Sequence, residues 1–211
     1  MTRRNIISPS IVIILLVLNG LAFYLQFISG SAIIIDYALW PLGSSNISVN
    51  GEQIPQFHIW QLISYSFLHG GMFHLLINMY ALWFFGTRIE RAWGSKAFAI
   101  YYLVCVIGAG LVQLLVATQS ASSGEIYPTV GASGGVFGLL LAFGLTFPNE
   151  RLMLLFPPIP MKAKYFVMIF AGIELYAGVT GTLAGIAHFA HLGGMLFGFL
   201  LLWYWGRHPL K

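Results

Sequence analysis

The chain has 211 residues, 58% of them apolar and only 8% charged, against about 45–50% and about 25% in an ordinary soluble domain. Ten Lys and Arg against six acids give a net charge of +4, with no basic cluster able to track phosphates, and Cys105 alone leaves no intrachain disulfide or Cys-rich metal site. The composition excludes a soluble globule, a disordered chain and a nucleic-acid binder, and describes an all-α integral membrane protein.

A helix crosses the hydrocarbon core in about 20 mostly apolar residues. Residues 6–28, after Arg3 and Arg4, form the first span; the apolar run is too long for a signal-peptide core and no small-residue cleavage site closes it. Residues 29–68 mix Asp36, Pro41, Glu52 and Pro55 with Ile, Tyr and Trp. They are too apolar for a solvated linker and too broken for a span. An interfacial loop with short helices is expected, held at headgroup depth by Trp40 and Trp60. Residues 71–87, 97–118, 133–147, 163–180 and 187–205 complete a bundle of six spans without internal repeats. The chain divides into a first helix with its loop (1–53), a core of helices two to six (54–205) and a tail (206–211).

The cations fall at alternate ends of these spans: Arg3 and Arg4; Arg88, Arg91 and Lys96; Arg151, Lys162 and Lys164; Arg207 and Lys211. The other three connections hold Asp36, Glu52 and Glu125 and no cation. By the positive-inside rule both termini are cytoplasmic.

The fourth span is short. Its 15 residues reach about 22 Å across a core of about 30 Å, so its top should lie ~8 Å below the outer surface. Non-helical backbone at that depth is tolerated only within protein or beside a water-filled cavity. Residues 128–131 should therefore be surrounded by helices and open to water, with Ser133 at the sunken helix start.

Polar groups inside a membrane mark function by default. The second helix brings His69 at its mouth, then His74 and Asn78 four residues apart on one face. The sixth brings His188 and His191 in its first two turns, and with His58 in the loop five of the six histidines lie on the outer side. Glycines in Gly131-Ala132-Ser133-Gly134-Gly135 let backbone approach a substrate carbonyl, and a helix start there offers free N–H groups to an oxyanion. Gly194 and Gly198 form a Gly-x-x-x-Gly face on the sixth helix, with Gly134 and Gly138 a matching groove on the fourth. Tight pairing of the two would bring a histidine to Ser133, whose hydroxyl is a poor nucleophile without a base.

His69-x4-His74-x3-Asn78, then Gly131-Ala132-Ser133-Gly134, then Ala190-His191-Leu192-Gly193-Gly194 with Gly198 resemble the three motifs of the rhomboid intramembrane serine proteases in order, spacing and host helix. The stretch from Phe85 through Arg88, Glu90, Arg91 and Gly94 to Ser95 resembles that family's link between helices two and three. The resemblance implies a six-helix rhomboid-like bundle with a short central fourth helix. It also implies a Ser-His dyad without a third acid: Ser133 as nucleophile and His191 as base and acid, with His74, Asn78 and the Ser133 N–H around the oxyanion near Gly131. His188 is the rival base, only ~60° away around the helix; the family's spacing to Gly194 and Gly198 favours His191. Phe137 stands where many members carry a Tyr stacked on the histidine, and the first loop lacks the Trp-Arg pair of some members.

The implied activity is cleavage of transmembrane segments of other proteins, at a site following a small residue, with no cofactor. Two other readings compete. One is an inactive rhomboid-like protein that binds membrane helices; the other is a metal or haem site built from His69, His74, His188 and His191, which leaves Ser133 and its glycines unexplained. His69 and His188 read as structural or mouth-lining groups. Glu174, about seven residues below the outer end of the fifth helix, reads either as a structural hydrogen-bonder or as a group orienting His188 or His191. Cys105 reads as an inert small hydrophobe. Asn46-Ile47-Ser48 matches a glycosylation sequon, without meaning in a bacterium; short loops suggest a bacterial plasma membrane, with the site opening to the outer side.

Overall fold

The computed structural model describes residues 10–43, 48–49, 52–153, 158–182 and 185–207. Arg3, Arg4, Lys211 and the Asn46 and Ile47 of the sequon lie outside the described residues. Helix α1 spans Ile11–Ser29 and is followed, through Gly30 at φ 60°, by the short α2 (Ser31–Tyr37). Two two-residue strands, β1 (Ser48–Val49) and β2 (Glu52–Gln53), pair antiparallel. Then come α3 (Gln61–Ser64), a 3-10 turn (Tyr65–Phe67), and the long α4 (Met72–Trp93) and α5 (Ser95–Ser122). The short α6 (Ser133–Thr146) leads to a second antiparallel hairpin, β3 (Arg151–Met153) with β4 (Pro160–Lys162), and to α7 (Ala163–Thr180) and α8 (His188–Arg207).

Four of these helices, α1, α5, α7 and α8, are long and apolar enough to cross a membrane. Helix α4 has 22 residues, but its last turns carry Arg88, Glu90 and Arg91, and α6 is apolar with only 14 residues. The bundle is inverted relative to a soluble protein. Large apolar side chains such as Phe27, Phe73, Leu115, Met168 and Val179 are exposed, while Asn19, Gln113, Glu174, His188 and His191 are buried. Lipid on the outside is the solvent that such a surface requires.

Helix α6 stands at the centre, packed by α4, α5, α7 and α8. Ala132, Leu139, Ala142 and Phe143 are fully buried there. Helix α8 packs most extensively against α5 and α6. Glycine governs the approach. A Cβ on Gly194 would lie 1.9 Å from the carbonyl oxygen of Gly134, so α8 and α6 touch backbone to backbone.

The expected groove is otherwise shared differently. Gly138 meets the Gly194 carbonyl oxygen of α8 at 3.3 Å and the Cys105 side chain of α5 at 2.4 Å from its would-be Cβ, whereas Gly198 faces Tyr101 and Cys105 of α5 rather than α6. Gly108 and Gly193 similarly receive Phe197 and Val112 across the α5–α8 contact. The third long helix is thus as much a partner of the sixth as the fourth is. Cys105 is a buried free thiol that fills the space between the glycines of both.

One carboxylate ties three helix ends together. Glu90 accepts hydrogen bonds from Ser10 Oγ at 2.6 Å, the Ile11 N–H at 2.7 Å, the Val12 N–H at 3.2 Å and Ser95 Oγ at 2.6 Å. It caps the exposed N–H groups that begin α1, where a negative charge is favoured. At the same end Arg88 pairs with Glu150 and stacks over Phe84, and Trp93 meets Trp205 near the end of α8. The described cation-bearing turns therefore gather at one end of the bundle.

At the other end the described residues of the first loop are held by polar contacts. Gln61, fully buried, accepts from the N–H groups of Trp40 and His58 and donates to Asp36 O. Trp60 also donates to Asp36 O, and Trp40 to Ile34 O and Ile35 O.

Helices α4 and α5 run further than their apolar stretches, because charged and polar residues at their ends remain helical and bond locally. The two hairpins lay outside what hydropathy could register. Glu90→Ala is expected to lower stability by about 3 kcal/mol, since it strips several bonds from one charged acceptor. The unfolding midpoint in detergent measures it.

Candidate active site

Ser133 is the first residue of α6, after Gly131 at φ 133°. The segment before it is pinned on two sides. Thr129 and Leu39 exchange backbone hydrogen bonds at 2.9 and 3.0 Å, and the Gly131 N–H donates to Tyr65 O at 2.9 Å. Tyr65 is itself fixed by its hydroxyl, which donates to Val106 O at 2.8 Å. The approach to α6 thus lies within protein, while Ser133 remains partly exposed.

His191 Nε2 lies 2.7 Å from Ser133 Oγ, a hydrogen-bond distance for a hydroxyl donating to the ring nitrogen. The His191 ring stacks on Phe137 with centroids 4.2 Å apart and planes 6° from parallel. Phe137 therefore provides the stacking surface that its position suggested. His188, the rival, turns away from the serine: its Nδ1 is 2.6 Å from Glu174 Oε2 on α7. The same oxygen lies 2.9 Å from His191 Nδ1. That N–H does not point along the line to it, and His191 Nδ1 has no aligned hydrogen-bond partner.

His74 and Asn78 share a face of α4, with Asn78 Nδ2 donating to His74 O at 3.0 Å. The Gly70 N–H donates to His74 Nδ1 at 3.3 Å. The other edge of the ring borders Gly131, whose would-be Cβ would lie 3.0 Å from His74 Nε2 and 3.5 Å from Ser133 Oγ. The space kept open by that glycine lies between the serine and the imidazole.

His69 is fully buried and meets His74 edge-on, with centroids 5.1 Å apart. Its backbone is clamped to α1: Gln26 Nε2 donates to His69 O at 2.7 Å, and the His69 N–H donates to Gln26 Oε1 at 3.0 Å. Gln26 was not singled out in the sequence, and only its polarity within an apolar helix could have drawn notice. The four histidines offered as a metal set do not converge. Among the described residues the group close enough to hold an ion is Glu174, His188 and His191, with donor atoms within 4.8 Å of one another.

The Rhomboid domain profile matches residues 56–208. The chain belongs to the rhomboid family. Among its relatives are RHOMBOID-like protein 4 of Arabidopsis thaliana, 35% identical over 142 residues, and the mitochondrial Rhomboid protein 1 of Saccharomyces cerevisiae, 33% identical over 150. The mitochondrial presenilin-associated rhomboid-like protein of Rattus norvegicus is 33% identical over 147 residues. These matches cover 67%, 68% and 66% of this chain, but 33%, 41% and 35% of the relatives' own lengths. The chain thus aligns with well under half of each. With its membrane-spanning helices it is an integral membrane rhomboid protein; the mitochondrial and plant relatives give no support to the bacterial plasma membrane suggested by short loops.

Gly194→Ala is expected to cost about 3 kcal/mol of stability, because backbone on both sides of the added methyl group leaves little room to relax. Gly172→Ala on α7, with nothing within 4 Å of its would-be Cβ, should be neutral or stabilising by up to about 1 kcal/mol. Unfolding midpoints in detergent for the two variants, side by side, check the contrast.

Proposed function

We propose that this rhomboid protein is an intramembrane serine endopeptidase that cleaves transmembrane segments of other membrane proteins. The observation that carries the reading is the 2.7 Å contact between Ser133 Oγ and His191 Nε2 at the start of a buried helix. In the proposed reaction His191 Nε2 takes the hydroxyl proton as Oγ bonds to the scissile carbonyl carbon and the carbonyl electron pair moves to oxygen. The resulting oxyanion faces the gap at Gly131, where the Ser133 N–H, His74 Nε2–H and the remaining Asn78 Nδ2 hydrogen are the donors on offer. Collapse breaks the C–N bond, and the proton on His191 passes to the leaving amine. Water then attacks the acyl-enzyme with His191 again as base, releasing the second product and restoring Ser133. No cofactor enters these steps.

The same reading takes α1, α4, α5, α6, α7 and α8 as six membrane segments, with the cationic turns on the cytoplasmic side. The joint clustering of Glu90, Arg88 and Glu150 at one end supports it. Ser133 then opens towards the opposite side. Substrate is a helix able to unwind beside α6, with a small residue before the cleaved bond.

Purified protein in detergent with a transmembrane reporter substrate tests the assignment. Ser133→Ala and His191→Ala should each abolish cleavage, and EDTA should leave it unchanged; residual cleavage by Ser133→Ala removes the nucleophile assignment. His74→Ala is expected to lower kcat about 10²–10³-fold, with circular dichroism and size exclusion in detergent confirming that the fold persists.

A further inference from the structure

We infer that Glu174 is a positioning residue for His191, orienting the imidazole whose other nitrogen faces Ser133 in the proposed dyad. The inference deepens the protease reading and rests on it. Glu174 lies within the apolar helix α7 and is 8% exposed. A carboxylate buried among apolar helices is costly unless paired. A structural bond to His188 alone would answer that need. The finding beyond it is that the oxygen held by His188 Nδ1 at 2.6 Å also lies 2.9 Å from His191 Nδ1, the nitrogen on the far side of the ring from Ser133.

Position explains how one oxygen serves two rings. His188 and His191 are three residues apart on α8, ~60° around its axis, and their rings meet edge-on with centroids 6.5 Å apart. A carboxylate has no proton to donate. The favourable state therefore places a proton on Nδ1 of each ring. For His191 that choice leaves the Nε2 lone pair towards Ser133 Oγ, the tautomer a general base needs.

Phe137 fixes the ring plane from one side. A small turn of the imidazole then aligns its Nδ1–H with Oε2. That bond strengthens once Nε2 has gained the serine proton, because the charged ring is drawn to the carboxylate. The Nδ1 proton stays on His191 throughout, and no proton passes to Glu174. His188 serves as the anchor that keeps Oε2 in place.

The test compares wild type, Glu174→Gln and Glu174→Asp on the reporter substrate, with folding followed by circular dichroism and size exclusion in detergent. Glu174→Gln should lower kcat about 10²–10⁴-fold with KM within about twofold, and Glu174→Asp should recover at least about tenfold of that loss. Folded Glu174→Gln with kcat within threefold of wild type overturns the role, as does a loss confined to KM, or Glu174→Asp no faster than Glu174→Gln. Should Glu174→Gln not fold, ¹⁵N spectra of histidine-labelled wild type decide, with His191 required to carry its proton on Nδ1; a proton on Nε2 alone overturns the inference. A wild type that neither cleaves nor labels at Ser133 sinks the protease reading itself, whereas an active wild type beside an equally active Glu174→Gln sinks only the positioning role.

Discussion

A Cβ on Gly194 would lie 1.9 Å from the Gly134 carbonyl oxygen, so α6 and α8 meet at backbone contact, and the reach from Ser133 to His191 follows from that contact. Neither side chain is long. A serine hydroxyl and an imidazole can lie 2.7 Å apart on two different helices only where the axes approach closer than ordinary side chains allow. Helix α5 then acts as the third wall. It receives Gly198 and Gly138 around Cys105 and seats Phe197 against Gly108. The close pair is thus held by packing from behind, since lipid provides no hydrophobic drive between helices.

The interior polar groups impose the second constraint. Inside an apolar bundle each donor and acceptor must be answered by protein or by water. The two ends of the bundle meet this need with different devices. At one end the Glu90 carboxylate gathers the start of α1, the end of α4 and the start of α5. At the other, amide side chains take that work: Gln26 clamps the backbone of His69, and Gln61 gathers the first loop. Amides suit a place where each residue must both donate and accept. These contacts hold α1 and the loop against the core and steady the mouth from which His74 projects.

Much of this was legible in the sequence because lipid simplifies the code. A run of about 20 apolar residues has few structural options, so residues 163–180 coincide with α7, and α6 begins at Ser133 as its motif required. The proximity of Ser133, His74 and His191 was readable from shared depth. The same logic failed where pairing is a matter of azimuth. Four-residue glycine spacings on two helices suggested one shared groove; Gly134, Gly138 and Gly194 meet in it, but Gly198 turns towards Tyr101 and Cys105 of α5, because spacing sets a face and leaves its partner open. Helix ends were underestimated for a related reason. Hydropathy falls at Arg88, Glu90 and Arg91, while the hydrogen-bonded helix continues to Trp93. For Glu174 position along the helix was readable, but which histidine it would touch depended on rotation, and the single oxygen lies near both.

Two histidines near Ser133 differ in what their remote nitrogens face. The Gly70 N–H donates to His74 Nδ1, so that nitrogen is an acceptor and the neutral ring carries its proton on Nε2, at the edge bordering Gly131. His191 meets a carboxylate instead, which favours the proton on Nδ1 and leaves Nε2 free to accept from Ser133. A backbone amide makes one imidazole a donor, and an acid on a neighbouring helix makes the other an acceptor. Exchanging those two remote contacts would leave a donor facing the serine and a lone pair at the edge bordering Gly131, with every ring still in place. In the proposed reaction the roles of the two imidazoles are therefore set as much by Gly70 and Glu174 as by the rings themselves.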